Sequence, residues 1–433
     1  MRTIAKLENV SKTYKLADDQ QLEVLSQINL DVQEGEFIAL LGQSGCGKST
    51  ILRIMSGLIK PTSGTAYQYD EKLQGINETI SIVFQSFALY PWLTVYENVR
   101  IGLIKRQLSS SQEEQEITEA IRLIGLGGHE NAYPKELSGG MRQRVGFARA
   151  LVAKPEILAM DEPFSALDVL TAQNLRAEVI DLWKNKEGTF KSAFMVTHNI
   201  SEAVSMASKI MILSSHPGRI VHVIENKMPY PRNEKSPAFL ALVDEIHGLI
   251  TTLNLPDTPK EHPISKAIFE NAESKAFENI PYVQISRILG FLEVLKDDNG
   301  RTKIFELAAK MKEEFGSVIS IAKAVEILNF IETPGQDVVL TELGRKFIEA
   351  ESTNQKLIFR KQLVLMKLFR LIIDKLTTLK TLAEDDLKVE INNRFPYENA
   401  DKMVDTIVDW GRYGEIFEFN ADLKVFTQFE DSV

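Results

Sequence analysis

The sequence predicts an α/β domain built on a mostly parallel sheet, with antiparallel N-terminal strands and an inserted helical subdomain, followed by a mainly helical second domain. Three observations carry this prediction: short apolar runs without polar alternation, a G-x-x-x-x-G-K-S segment lodged between such a run and an apolar-periodic stretch, and a proline cluster after which the texture changes. At 433 residues the chain is also too long for one ordinary core. Its 44% apolar and 25% charged residues match a soluble globular protein and exclude a collagenous, disordered or disulfide-framework chain. A net charge of −10 disfavours a generic nucleic-acid binder, which needs a concentrated Lys/Arg surface. The single cysteine, Cys46, excludes an intramolecular disulfide and a cysteine-built zinc site, and fits a reducing compartment. The first residues lack a signal-peptide core, and the best membrane-span candidate, 363–373, is cut by Lys367 and Arg370, so a cytosolic chain is expected.

The elements follow in order. Residues 1–40 alternate like strands, with Leu22, Val24, Ile28, Leu30 and Val32 spaced by polar residues and Glu34-Gly35-Glu36 as a turn. The runs 37–41, 80–84, 157–160 and 193–197 are expected as strands covered on both faces, and 88–151, rich in Glu, Gln and Arg, as the helical subdomain. Pro229, Pro231, Pro237, Pro256, Pro259 and Pro263 predict a linker at 226–262, ending a first domain of residues 1–225 and opening a second at 263–433. From residue 260 onward 24 Lys/Arg face 30 Asp/Glu, a net of −6. There a helix (304–312), a turn at Gly316, a helix (318–331), a Pro334-Gly335 turn and a strand (338–340) give the order of a winged helix. Residues 387–393, 400–413, 415–419 and 423–426 repeat it around Asn420-Ala421, so two winged-helix-like units are expected, at 302–350 and 380–428.

Gly42-Gln43-Ser44-Gly45-Cys46-Gly47-Lys48-Ser49-Thr50 follows the strand 37–41 and precedes Ile51-Leu52-Arg53-Ile54-Met55. Glycines let backbone N–H groups wrap phosphates at a helix N-terminus, Lys48 reaches the β and γ phosphates, and Ser49 offers a hydroxyl to Mg²⁺. Gly42, Ser44, Gly45, Cys46, Gly47, Lys48, Ser49 and Thr50 are the expected phosphate-binding set. Cys46 fills a variable position; a helix N-terminus would lower its thiol pKa and let thiol modification block nucleotide binding. The strand 157–160 ends in Asp161-Glu162, the first suited to the Mg²⁺ shell and the second to polarising an attacking water. Two further strands deliver Gln85 and His198. Alone, the acidic pair would read equally as a solvated loop and His198 as a structural histidine. Ligands of open α/β sheets bind beyond the carboxyl ends of the strands, and four ends carrying polar groups converge on one γ-phosphate. The expected catalytic residues are Glu162, His198 and Gln85, and the metal-holding residues Ser49, Gln85 and Asp161.

Leu137-Ser138-Gly139-Gly140-Met141-Arg142-Gln143-Arg144 resembles the signature sequence of ATP-binding cassette ATPases. With the P-loop, Gln85, Asp161-Glu162, Ser165-Ala166-Leu167-Asp168 and His198 in this order, the chain is similar to a P-loop NTPase cassette of that family. The resemblance implies ATP and Mg²⁺ as ligands, and a second copy or paired ATPase subunit whose Ser138, Gly139 and Gly140 complete the site across a head-to-tail dimer. It also implies that Tyr14 stacks on adenine, although bare sequence reads Tyr14 as a strand aromatic, and it adds Asp168 to the nucleotide-binding set. Residues 86–99 and Pro217-Gly218-Arg219-Ile220 look like the nitrate, aliphatic sulfonate and taurine import branch, over roughly residues 1–230. That implies transmembrane permease partners docking near Tyr90 to Trp92, a solute-binding protein acting indirectly, and a peripheral place on the cytoplasmic membrane face.

The second half resembles the AAA-associated C-terminal domain appended to some ATPases of this branch. Its candidate recognition helix, 317–332, sets Lys323 against Glu326 and Glu332, so no nucleic acid is expected and protein contact is preferred. Three roles stay open for it: regulation of the ATPase cycle, dimerisation or scaffolding, and DNA or RNA binding. The rival for the whole chain is a soluble cassette ATPase without a membrane partner; translation-type members usually carry two cassettes and repair-type members a long coiled-coil insertion, whereas this chain has one compact cassette.

Overall fold

The computed structural model describes residues 2–15, 21–43, 45–185, 190–215, 217–254, 280–334, 337–395 and 399–429. It divides into two compact units, Met1–Ile246 and His247–Val433.

The first unit opens with β1 (Thr3–Lys15) and β2 (Gln21–Gln33), an antiparallel pair extended through β4 (Ser63–Gln68) and β5 (Glu71–Lys72) in the order β2-β1-β4-β5. The alternation predicted for β2 holds at Ile28, Leu30 and Val32, which are buried, but shifts by one residue before them. Gln27 takes a left-handed φ of 52°, the β1–β2 register slips between Val10 and Lys12, and Leu25 turns inward in place of Val24. The second sheet runs β10-β9-β3-β8-β7-β6. Its strands are β3 (Phe37–Leu41), β6 (Ile80–Val83), β7 (Ile157–Asp161), β8 (Ser192–Thr197), β9 (Lys209–Leu213) and β10 (Ile220–Glu225); all pair parallel except β10 with β9. Strands β3, β7 and β8 are buried at every position, which is why their sequences are apolar runs without alternation.

The helices of this unit are α1 (Lys48–Met55), α2 (Val95–Arg100), α3 (Ser110–Leu123), α4 (Gly139–Leu151), α5 (Val169–Lys184) and α6 (Ile200–Met206). Reciprocal capping boxes, Thr94 with Glu97 and Ser109 with Gln112, start α2 and α3. Within 226–262, expected as a linker, the chain instead forms an 18-residue helix, α7 (Pro237–Asn254). Pro237 stands at its first position, where no N–H is required, and the Ser236 hydroxyl accepts from Phe239 N. Pro256, Pro259 and Pro263 lie outside the described residues.

In the second unit α8 (Ile285–Asp297) precedes β11 (Arg301–Lys303), α9 (Ile304–Met311), α10 (Phe315–Ile327), β12 (Ile331–Glu332) and β13 (Asp337–Leu340), with sheet order β11-β13-β12. Three helices follow, α11 (Glu342–Glu349), α12 (Ser352–Leu365) and α13 (Lys367–Leu379). The pattern then recurs: β14 (Thr381–Ala383), α14 (Glu384–Arg394), α15 (Ala400–Tyr413), β15 (Phe417–Asn420) and β16 (Val425–Gln428), ordered β14-β16-β15. Helix α10 stops earlier than the expected 331–332. Asn329 adopts a φ of 60° and Phe330 N returns to Val325 O, a left-handed cap that frees Ile331 to start a strand. Both repeats contribute to one core, where Phe330 stacks on Phe347 at 4.4 Å and Phe359 meets Trp410 edge-on at 6.1 Å.

Candidate functional site

Buried β3 delivers the chain to Gly42, and the loop beyond it turns into α1. Gly47 has φ 100°, and a Cβ there would stand 2.5 Å from Leu25 Cδ2, so both conformation and space demand glycine. Gly218 closes the loop from the other side through backbone bonds with Val24 and Ser26. Lys48 is 5% exposed; its Nζ donates to Gly42 O at 2.8 Å and Gln43 O at 2.9 Å and lies 3.7 Å from Glu162 Oε1. The Ser49 hydroxyl donates to Asp161 Oδ1 at 2.9 Å, and Thr50 follows in the same helix. Ser44 lies outside the described residues. The expected lowering of the Cys46 thiol pKa does not occur. Cys46 is buried under the loop, and loss of water pushes its thiol up, against the smaller opposing pull of Lys48.

Strand ends carry the rest. Asp161 is buried at the end of β7, and burial raises its carboxyl pKa although the Ser49 hydroxyl opposes the shift. Glu162 occupies the left-handed region at φ 45°, its N–H held by Val196 O at 2.9 Å. Its carboxylate gathers three side chains: Lys48 at 3.7 Å, Gln85 Nε2 at 3.1 Å and His198 Nδ1 at 3.3 Å. The His198 hydrogen bond holds its pKa below the usual value, outweighing burial. The predicted strand-end residues therefore meet around one carboxylate. His198 is steadied by residues that sequence reasoning missed: Thr197 Oγ1 donates to Glu202 Oε2 at 2.8 Å, and the Asn199 side chain accepts from Glu202 N at 3.1 Å. The Asn-x-x-Glu spacing of Asn199 and Glu202 was the signal for that cap.

A second cluster forms where α4 meets α5. Ser138 caps α4 by accepting from Met141 N at 3.3 Å, and Asp168 caps α5 by accepting from Thr171 N at 3.0 Å. The Thr171 hydrogen bonds lower the Asp168 pKa. A Cβ on Gly140 would stand 2.5 Å from Thr171 Cγ2, so that glycine lets the two helix starts touch, and Gly139 lies beside Ala166. Ser165 joins the clusters: its Oγ donates to Glu162 O at 2.9 Å and accepts from Gln85 Nε2 at 3.4 Å. Tyr14 and Ser138 share no hydrogen bond with the Lys48 cluster among the described residues; Tyr14 is 38% exposed, with Lys12 Nζ 5.0 Å from its ring centre.

Beyond Gln85 the chain makes two left-handed steps, Phe87 at φ 60° and Ala88 at φ 48°. Arg149 of α4 donates to both carbonyls, at 2.9 and 2.6 Å. Buried Asn98 then ties the following loop, accepting from Tyr90 N and donating to Leu93 and Thr94 carbonyls. Tyr90 and Trp92 pack edge-on at 5.5 Å and stay exposed, Trp92 at 69%. Ser49 and Asp161 are hard oxygen donors, and no cluster of three or more His, Cys, Asp and Glu able to hold a metal exists among the described residues. This donor set suits a cation that takes one or two protein oxygens and completes its shell with phosphate and water, as Mg²⁺ does.

The chain is similar to known proteins. Residues 25–165 match the ABC transporter family and residues 305–420 the C-terminal AAA-associated domain. An uncharacterised ABC transporter ATP-binding protein of Methanocaldococcus jannaschii is 39% identical over 250 residues, 58% of this chain and 92% of that one. The aliphatic sulfonates import ATP-binding protein SsuB of Bacillus cereus is 40% identical over 218 residues, 50% of this chain and 84% of that one. Among solved structures, a dimeric post-hydrolysis state of an ATP-binding cassette bound to ADP and Pi is 34% identical, covering 52% of this chain and 100% of that one with a TM-score of 0.47. The chain belongs to the ATP-binding cassette transporter family, as one of its ATP-hydrolysing subunits.

Proposed function

We propose that this subunit energises an importer for a nitrate-, sulfonate- or taurine-like anion, working as a head-to-tail dimer that encloses two ATP molecules. The observation that carries the ATPase part is the convergence of Lys48, Gln85 and His198 on the Glu162 carboxylate. ATP arrival draws Lys48 from the Gly42 and Gln43 carbonyls to the β and γ phosphates, while the loop amides of Gly42 to Thr50 cradle them. Ser49 and Asp161, with Gln85, hold Mg²⁺, which when bound neutralises charge on the phosphate oxygens. Glu162 is kept ionised by its neighbours and takes a proton from the attacking water; His198 holds that carboxylate and reaches the γ-phosphate. Tyr14 stacks on adenine, and Ser138, Gly139, Gly140 and Asp168 serve the nucleotide of the facing copy.

The transport part is supported by the exposed Tyr90–Trp92 pair, tied through Asn98 to a loop that begins at Gln85, an arrangement suited to reporting nucleotide state to a permease helix. The branch is supported by the likeness to a sulfonate-import ATPase. Mg²⁺, the permease partners, a peripheral place at the membrane and a regulatory second unit belong to the same reading. No helix among the described residues is long and apolar enough to cross a membrane. Glu162→Gln is expected to bind ATP and to hydrolyse it at least about 100-fold more slowly. Phosphate release measured beside nucleotide affinity checks this, and near wild-type turnover would remove Glu162 from its role.

A further inference from the structure

We infer that Arg232 is a positioning residue for His198, acting through the short helix α6 that joins them. Arg232 lies outside every motif of the cassette, yet its guanidinium donates four hydrogen bonds. Nε donates to Met228 O at 3.1 Å, one terminal nitrogen to Val204 O at 2.7 Å and Ala207 O at 2.6 Å, and the other to Asn226 O at 3.1 Å. Four of the five N–H donors of an arginine are thus spent on carbonyls. The guanidinium also stacks 4.0 Å from the ring of Tyr230, whose hydroxyl donates to Met206 O at 2.6 Å. Asn226 Nδ2 adds a bond to Val204 O at 2.9 Å. The ring of Tyr230 rests edge-on against Trp183, 5.6 Å away, and Trp183 against Phe37 at the start of β3, 5.5 Å away.

The carbonyls taken here, Val204, Met206 and Ala207, are those that the end of α6 leaves without partners. A seven-residue helix is marginal by itself; α6 is held by packing its buried Ile200, Ala203, Val204 and Met206 against the sheet and by what ties its two ends. The first end is the Asn199–Glu202 cap beside His198; the second is the 226–232 segment, about 10 Å away along the helix axis. Release of the second end lets α6 tilt and carries His198 off the Glu162 carboxylate, which it meets at 3.3 Å. The guanidinium bonds of Arg232 end on the carbonyls of Val204, Ala207, Asn226 and Met228 and not on the Glu162 cluster; it fixes the line along which His198 points.

The inference rests on the role given above to His198, and the experiment separates the two. In the full-length chain, Arg232→Ala is expected to lower kcat for ATP by about 10- to 100-fold with KM little changed, because a shift near 1 Å at a catalytic group costs that much. Arg232→Lys, which keeps the charge and reaches fewer carbonyls, should show a smaller loss of the same kind, and decides the matter if the alanine variant does not fold. In a His198→Ala background, the Arg232 substitution should add less than about twofold, since residues acting through one group are not additive. A loss that persists undiminished in that background, or unchanged kcat in a folded Arg232 variant, overturns the inference and leaves the site reading intact. Wild-type turnover by His198→Ala alone overturns the site reading, and this inference with it.

Discussion

Asp161 and Glu162 are adjacent, yet the fold moves their carboxyl pKa values in opposite directions. Asp161 is raised because burial, with the neighbouring Glu162 charge, outweighs the Ser49 hydroxyl and the pull of Arg53 and Lys48, so in the folded chain its charged form is disfavoured. A raised folded pKa means a contribution that is best below the ordinary Asp value of 3.8 and is lost as pH rises through the folded value. Asp161→Asn is therefore expected to raise the melting temperature of the nucleotide-free chain at pH 7 in a chelator, while weakening Mg²⁺-dependent ATP binding. A melting temperature that falls would contradict the burial argument. Glu162 has the reverse sign: its ionised form is stabilised by His198 and Lys48, so its contribution is present above the ordinary Glu value of 4.5 and disappears as pH falls below it. The adjacent carboxylates at a strand end were legible in the sequence; the opposite directions of their shifts were not, because burial, Ser49, His198 and Lys48 set them. Nor was the fate of Cys46, because the buried cluster it joins includes Leu25, Met211 and Leu213 from distant parts of the chain.

At the scale of elements, helix starts do much of the functional placement. Ser138 and Asp168 cap α4 and α5, and Gly140 lets those starts approach until its missing Cβ is all that separates it from Thr171. Gly140→Ala is expected to force the two helices apart, cutting ATP turnover about tenfold or more while leaving nucleotide affinity of the single chain nearly unchanged. Turnover equal to wild type would show that Thr171 yields without cost. The buried strands were legible because two-sided burial demands uninterrupted apolar runs, and β3, β7 and β8 are buried throughout. What escaped were single-residue devices: the Gln27 bulge that exchanges Val24 for Leu25, the Asn329 cap that ends α10, and Pro237 acting as a helix start. Each is a left-handed or first-turn position whose meaning depends on tertiary neighbours. The strands β11 and β14 are three residues each and too short for periodicity to reveal.

For the whole molecule, the question is what an acidic AAA-associated second half does for an ATPase. Under a regulatory role, a version of the chain ending near residue 256 should change ATP turnover in the complex with permease and solute-binding partners, either raising it or losing a response to nitrate, taurine or an alkanesulfonate. Equal behaviour of both forms toward every anion would favour an assembly role. The punctuation of helix, helix and hairpin stands in the sequence of both stretches; the short strands β11 and β14 that open them and their common interior do not. The two three-stranded sheets are separate, but Phe330, Phe347 and Phe359 from one side and Trp410 from the other belong to one apolar cluster. Trp410 also donates its indole N–H to Val283 O at 2.7 Å, ahead of the first repeat. The repeats are consequently a closed pair and not beads on a string: residues of both fill one apolar cluster, so removing either would strip apolar neighbours from the other. Evolutionary drift in this half of the chain must then proceed by compensated changes on both sides of that aromatic seam.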